Sequence, residues 1–253
     1  MIDNPHEYDV MADVEASHWW YRVLHGLVLE SMARELPSSG IHVLDAGCGT
    51  GGLMQSLKAA GYSHVKGFDL SAKAVAICQR NELEVQVSDL RELANIQTPY
   101  TFDVIISNDT LYHLTAEQRV VFFHTAYARL NPGGLLIMNM PALAAFRGTH
   151  DRAVGILHRF DRREIEQLVQ LTGFETRTLR YWPLGLSPVI FFVRAWQRLT
   201  NNSTSSVKPA SDLKAHSGAL NTLLYRLTRL ELRCLGAAPF GSSLFTVLRR
   251  PHP

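Results

Sequence analysis

The spacing of apolar positions changes along the chain. Between 11 and 36, Trp20, Val23, Leu24, Leu27, Val28 and Met32 recur at helical spacing, and Pro37 and Gly40 end the run, which predicts one amphipathic helix. From 41 onward the pattern turns to short, nearly all-apolar runs at 41–47, 64–71, 83–89, 101–109 and 134–140, with helical stretches at 51–60, 72–81 and 116–130. Strands that are apolar on both sides and alternate with helices predict a parallel sheet covered on both faces. Further on, 160–171 reads as a helix, with Asp161 as N-cap and Glu164 in the capping-box position, and 174–182 as a strand. A helical stretch follows Pro188, the polar run 201–212 reads as a mobile connection, and a helix over 213–235 precedes a last strand at 242–250. The expected fold is α/β: a doubly wound, mostly parallel seven-stranded sheet with helices on both faces, an N-terminal helix, and a helical insertion before the last strand.

Bulk composition narrows the classes. Over 253 residues Lys plus Arg number 25 and Asp plus Glu 23, so the balance gives no support for a protein that tracks nucleic-acid phosphates. The local basic groups, Arg159, Arg162 and Arg163, then Arg226, Arg229 and Arg233, read as solvated faces. Cys48, Cys78 and Cys234 are an odd number without paired spacing, which points away from a disulfide framework and toward the cytoplasm. The first twenty residues carry acids where a secretory signal would carry positive charge. The run from Leu184 to Trp196 is broken by Pro188 and Arg194; it is too short to span a bilayer but apolar enough for peripheral contact with lipid.

The chemistry starts at Val43, where VLDAGCGTGG carries an apolar strand into a turn that is mostly glycine. Glycine accepts positive φ and lets a ligand approach the backbone, and the N–H groups of the following helix line the pocket. Gly47, Gly49 and Gly52 also satisfy G-x-G-x-x-G, the dinucleotide fingerprint. Asp45, at the start of the loop, is an awkward neighbour for a diphosphate and a reasonable one for an ammonium group or the loop's own N–H donors. Asp69 ends the second strand, where either cofactor class wants an acid for ribose hydroxyls.

Taken together, VLDAGCGTGG, GFDLS, SDL, FDVIISNDTLYHL and LNPGGLLIM resemble the class I S-adenosylmethionine-dependent methyltransferases over about residues 41–140. That resemblance implies that Asp45, Gly47, Cys48, Gly49 and Gly51 wrap the methionine portion of the cofactor, with Asp69 on the ribose and Leu70 beside the adenine. It also implies that Asp89 and Leu90 meet the adenine edge and that Asn108 lies by the methionine end. ASHWWYRVLHGLV at 16–28, FRGTHDRAVGILHRF at 146–160 and PFGSSLFTVLRR at 239–250 are similar to a bacterial small-molecule methyltransferase subgroup of the family. The implied organisation is a single domain over 1–253: a helical cap at 1–40, a Rossmann-like core at 41–182, the insertion at 183–240 with its linker at 201–212, and the last strand at 241–250. The acceptor does not transfer with the resemblance.

Methyl transfer from a sulfonium is an in-line displacement, so alignment is the main task and a base is needed only where the acceptor must lose a proton. His113, in the run Asn108 to His113 after the fourth strand, is the first choice of base, with Tyr112 beside it as a substrate contact. His150 and Asp151 are the second choice, the carboxylate orienting the ring, and Arg159 is a candidate contact for an acidic acceptor. Of the aromatic cluster, Trp20 is expected to pack inward and Trp19 or Tyr21 to close over the cofactor or acceptor, joined by Tyr8. No metal is implied, because no paired ligand spacing is present.

The leading expectation is therefore O-methylation of a small organic acceptor. N-methylation, a nicotinamide-dependent oxidoreductase on the same turn, and a non-catalytic binding module are the alternatives. The expected partner is a small molecule, not nucleic acid, with a symmetric homodimer as the default assembly.

Overall fold

The computed structural model describes residues 5–200, 218–236 and 238–252, so the connection expected at 201–212 lies outside the described residues. Its seven strands are β1 (His42–Ala46), β2 (His64–Asp69), β3 (Glu84–Val87), β4 (Phe102–Asn108), β5 (Leu130–Pro141), β6 (Glu175–Trp182) and β7 (Ser243–Arg249). They lie in the order β3-β2-β1-β4-β5-β7-β6. β1 to β5 pair in parallel, and β7 runs antiparallel to both β5 and β6.

The all-apolar strands are explained by burial on both faces. Along β5, Leu135 and Ile137 join a core with Val43, Val65 and Val104 on one side of the sheet, while Leu136 and Met138 join Leu44, Phe68 and Ile105 on the other. Helices α2 (Trp19–Glu35), α3 (Gly52–Ala59) and α4 (Ala72–Arg80) supply Val23, Leu27, Leu53, Leu57 and Val75 to the first core. Helices α5 (Ala116–Arg129) and α7 (Arg162–Thr172) supply Phe122, Phe123, Ile165 and Leu168 to the second. The chain moves outward from β1 to β2 and β3, then returns to β4 on the other side. Ligands of open α/β sheets bind beyond the strand ends at such a switch point.

The N-terminal region departs from the single expected helix. It forms α1 (Pro5–Val14) and then α2, with a break at 15–18. The reason is local and tertiary together: the His18 imidazole caps α2 by accepting from Trp20 N–H at 3.3 Å, and the Glu15 side chain is drawn away to β1's glycine turn. At α7, Asp161 accepts from Glu164 N–H at 2.9 Å as expected of an N-cap. The Glu164 carboxylate does not reach back to complete a capping box; it meets His158 Nε2 at 2.7 Å and Arg119 Nε at 3.2 Å.

The insertion contributes α8 (Ser187–Thr200) and α9 (Gly218–Cys234). Glu231 of α9 accepts from the N–H groups of Leu184 and Gly185 at 2.5 and 2.7 Å, tying the two helices together where α8 begins. Asn221 ties the other end of α9 to the start of α2, accepting from Trp19 N–H at 2.7 Å and donating to the Ser17 carbonyl at 2.8 Å. Both helices leave large apolar side chains exposed, including Val189, Phe192 and Val193 on α8 and Leu223, Leu227 and Leu230 on α9. No described helix is long and apolar enough to cross a membrane.

Candidate active site

The turn after β1 is built by backbone that only glycine adopts easily. Gly47, Gly49 and Gly51 have φ of 84°, 54° and 86°. A Cβ on Gly47 would stand 2.4 Å from the Thr110 methyl, so the turn and the segment after β4 are pressed together. Asp69 fastens the turn to β2: its carboxylate accepts from Gly49 N–H at 2.9 Å and Ser71 N–H at 2.8 Å. A carboxylate accepts about four hydrogen bonds, so capacity remains for the hydroxyls of a sugar.

Among the described residues, no cation is paired with Asp45 or Asp69 here. Asp45 is 3% exposed, and burial, with Glu15 and Asp69 nearby, pushes its carboxyl up to about 8. Burial raises Asp69 and takes Glu15 to about 7. His25 does not neutralise them. Burial lowers it to about 4, and its Nδ1 faces the Ser56 hydroxyl at 3.2 Å. Three buried carboxylates around a glycine turn, each shifted upward by burial, form a pocket that gains most from a cationic ligand and rejects an anionic one.

The segment after β4 forms the opposite wall. Asp109 has φ 53° and is half-buried, and the desolvation of its carboxyl lifts it to about 7. It is fixed by a chain of contacts from α2: Trp20 stacks on Trp182 with centroids 5.6 Å apart, Trp182 Nε1 donates to Asn139 Oδ1 at 2.9 Å, and Asn139 Nδ2 donates to Asp109 Oδ2 at 2.9 Å. The buried Tyr112 phenol is pushed up by burial and then by Asp109, with Tyr8, Asp151 and Asp69 acting on it more weakly. His113 packs on Tyr112 with ring centroids 4.3 Å apart, and burial lowers it to about 4. Asn108 Oδ1 and His113 Nδ1 are buried and have no hydrogen-bond partner among the described residues, which marks this wall as a place that wants a ligand.

The other expected site residues fall in three groups. Leu70 is exposed and Leu90 half-buried beside the ends of β2 and β3. Asp89 caps the turn at 90–95 and is paired with Arg91, whose Nε donates to Oδ1 at 2.8 Å. The Cys48 thiol is buried beneath the turn. The aromatic cluster is arranged differently from expectation: Trp19 and Tyr21 are both buried, Trp19 in the apolar core and Tyr21 against His18, Trp20 and His25, so neither lies open over the cleft. Tyr8, on α1, is the member close enough to Tyr112 to act on its phenol electrostatically.

Asp151 and Arg159 form a structural clasp. Arg159 Nε and Nη2 donate to the two Asp151 oxygens at 2.6 and 3.1 Å, and Nη1 donates to the carbonyls of Ala142 and Ser242 at 2.9 and 3.3 Å. Burial would raise Asp151, but the hydrogen bonds and charge of Arg159 outweigh it and hold the carboxyl below its usual range. This changes two expectations: the partner fixed by both Asp151 oxygens is Arg159, and four of the five guanidinium N–H donors are already used within the protein, which makes Arg159 a framework residue before it is a contact for an acidic acceptor. His150 sits half-buried in the first turn of α6 (Thr149–Val154).

Sequence reasoning missed Glu15, His25 and Asp109. Only Asp109 carried a signal, as an acid directly after Asn108 at the end of a parallel strand. Among the described residues no group of three His, Cys, Asp or Glu could hold a metal ion.

The fold and this turn define a class: enzymes that hold an adenosine cofactor by its sugar hydroxyls and a cationic end, at the switch point of a doubly wound sheet. A family model described as a methyltransferase domain matches residues 17–179. The chain belongs to the class I S-adenosylmethionine-dependent methyltransferases, and S-adenosylmethionine is its cofactor. It is 31% identical over 212 residues to the ubiquinone biosynthesis O-methyltransferase of Ralstonia nicotianae, covering 70% of this chain and 87% of that one. To the protein of the same name from Paraburkholderia xenovorans it is 32% identical over 214 residues, covering 72% and 89%.

Among solved structures, its fold is similar to the N-methyltransferase NodS of Bradyrhizobium japonicum WM9, with TM-score 0.53, 17% identity and 91% and 96% of the two chains covered. It is also similar to the magnesium protoporphyrin IX methyltransferase of Synechocystis PCC 6803 with bound S-adenosylhomocysteine, with TM-score 0.54, 16% identity and 91% and 83% covered. The glycine cradle, the acid at the end of β2 and the unpartnered Asn108 oxygen fit that cofactor's backbone contacts, ribose and cationic end.

Proposed function

We propose that the chain methylates the hydroxyl oxygen of a small aromatic acceptor. The names of its curated relatives support oxygen as the target, and the buried, unpartnered Nδ1 of His113 carries the reading. When bound, S-adenosylmethionine supplies an electrophilic methyl group on a sulfonium with a neutral thioether as leaving group. The protein's work is alignment and one proton. Asp45, Gly47, Gly49 and Gly51 seat the methionine end, Asp69 holds the ribose, and Asn108 turns its side-chain oxygen to the cationic end. Tyr112 and Tyr8 flank the acceptor.

His113 receives the hydroxyl proton at Nδ1. A ring lowered to about 4 is a weak base, but it is neutral at every working pH. An oxygen that is forming its bond to carbon becomes strongly acidic, so a weak base placed at hydrogen-bond distance suffices.

The test is incubation with methyl-labelled cofactor and matched panels of phenols and amines. Label should appear as an aryl methyl ether. His113→Ala should lower kcat about a hundredfold, a typical loss for a general base, while affinity for S-adenosylhomocysteine stays unchanged. Label found only on nitrogen, or full turnover by the variant, overturns the proposal.

A further inference from the structure

The glycine pattern of this turn fits two cofactor classes, and the choice between them is made by a residue outside the turn. In dinucleotide enzymes the N-terminus of the helix after the turn receives the cofactor's pyrophosphate. Here that position is filled from within. Glu15, 5% exposed and lying between α1 and α2, places Oε2 where Thr50 hydroxyl donates to it at 2.5 Å and Gly52 N–H at 3.1 Å, at the first residue of α3. A Cβ on Gly52 would stand 2.4 Å from the Glu15 carboxyl carbon, so the close approach that the third glycine permits is used by this side chain. Nearby His25 Nε2 is 3.9 Å from the other oxygen and uncharged at neutral pH, leaving the helix N-terminus as the carboxylate's electrostatic partner.

We infer that Glu15 is a specificity-determining residue: it occupies the anion cradle at the start of α3, shuts out cofactors that carry a pyrophosphate, and latches α1 over the methionine end of the cleft. The latch follows from what α1 covers. Met11 lies over Gly49, so that a Cβ there would be 2.8 Å from its terminal methyl, and a further fastening of α1 is the Asp9 to Lys73 pair at the surface. A buried charge-assisted contact at Glu15 outweighs a screened surface pair in holding the helix down.

Calorimetry on the whole chain tests this, with S-adenosylhomocysteine as ligand and inorganic pyrophosphate as competitor. Wild type should bind the nucleoside and ignore millimolar pyrophosphate. Glu15→Ala should bind S-adenosylhomocysteine about tenfold more weakly, the loss of one buried charged hydrogen-bonded group, and pyrophosphate should now bind and compete.

Gly52→Ala should mimic that variant by evicting Glu15. The double variant should be no weaker than Glu15→Ala alone, because the clash has been removed. The isosteric Glu15→Gln keeps the cradle filled and should continue to exclude pyrophosphate, which provides the readout should the alanine variant fail to fold. Wild-type affinity in either single alanine variant overturns the inference, as does pyrophosphate inert on Glu15→Ala or admitted by Glu15→Gln. A wild type that binds no S-adenosylhomocysteine would instead count against the cofactor assignment.

Discussion

At the scale of single residues, two groups on the wall after β4 could take a proton, and their environments separate them. Burial drives His113 down to about 4 and Asp109 up to about 7. The imidazole is therefore in its accepting form above pH 5, whereas the carboxyl is only half ionised at neutrality. The rate profiles must differ accordingly. With His113 as acceptor, kcat is flat from about pH 5.5 to 8.5, since no change in its protonation falls there; with Asp109 as acceptor, kcat rises about tenfold per unit up to pH 7 and then levels off. We expect the flat profile. Asp109 is already bound to Asn139, while His113 Nδ1 has no partner. Steady-state kinetics at saturating acceptor and cofactor distinguish the two, and a rise through pH 7 that vanishes in Asp109→Asn would transfer the role to the carboxylate.

At the scale of elements, the Asp151–Arg159 clasp joins the first turn of α6 to the carbonyls that follow β5 and precede β7, so three segments meet on one guanidinium. Breaking a buried pair strands the remaining charge, at a cost of about 3–5 kcal/mol. Arg159→Met should lower the melting temperature strongly, with Asp151→Asn close behind. The pair Asp151→Leu with Arg159→Met should recover part of the loss, because two apolar groups leave no charge stranded. Thermal unfolding of the three variants checks this, and an Arg159→Met protein as stable as wild type would show the clasp to be ornamental. The same element marks where the sequence stops being legible. Strands such as 134–140 could be read because burial on both faces leaves an all-apolar run, and the glycine turn because its chemistry lies within ten consecutive residues. Asp151 invited pairing with its neighbour His150, yet adjacent residues in a helix point apart, and the true partner lies eight positions on. The break between α1 and α2 was hidden for a stronger reason. Glu15 finds Thr50 and Gly52 at 35 and 37 positions' distance, and no local pattern encodes that.

At the scale of the whole molecule, the buried titratable groups fix how stability depends on pH. Burial lowers His25 and His113 to about 4, so from pH 4 to 6.5 the native state binds fewer protons than the unfolded chain and stability rises with pH. Glu15 and Asp109 are raised to about 7 and Asp45 to about 8, so from about pH 4 upward the native state binds more protons than the unfolded chain through these groups. Their contribution is complete below the ordinary carboxylate range and is lost as pH climbs through 7 and 8. The histidine gain ends near 6.5, where the carboxylate loss continues; each group changes stability by about 1.4 kcal/mol per pH unit between its two pKa values. Below 6.5 two rising terms oppose three falling ones, and above it only the fall remains. The melting temperature of the ligand-free protein should therefore fall across both intervals, by a similar amount from about pH 5 to 6.5 and from about 6.5 to 8, because Glu15 and Asp109 cease to contribute near 7 as the histidine gain ends. A cationic cofactor reverses the alkaline part, because its charge favours the ionised form of Asp45 and Glu15 and releases their protons. Saturating S-adenosylmethionine should raise the melting temperature more at pH 8 than at pH 6, and neutral S-adenosylhomocysteine should show a smaller difference. Calorimetry in buffers of different ionisation enthalpy would count the released protons directly, and a count of zero would mean that the three acids near the turn do not sense the cofactor's charge.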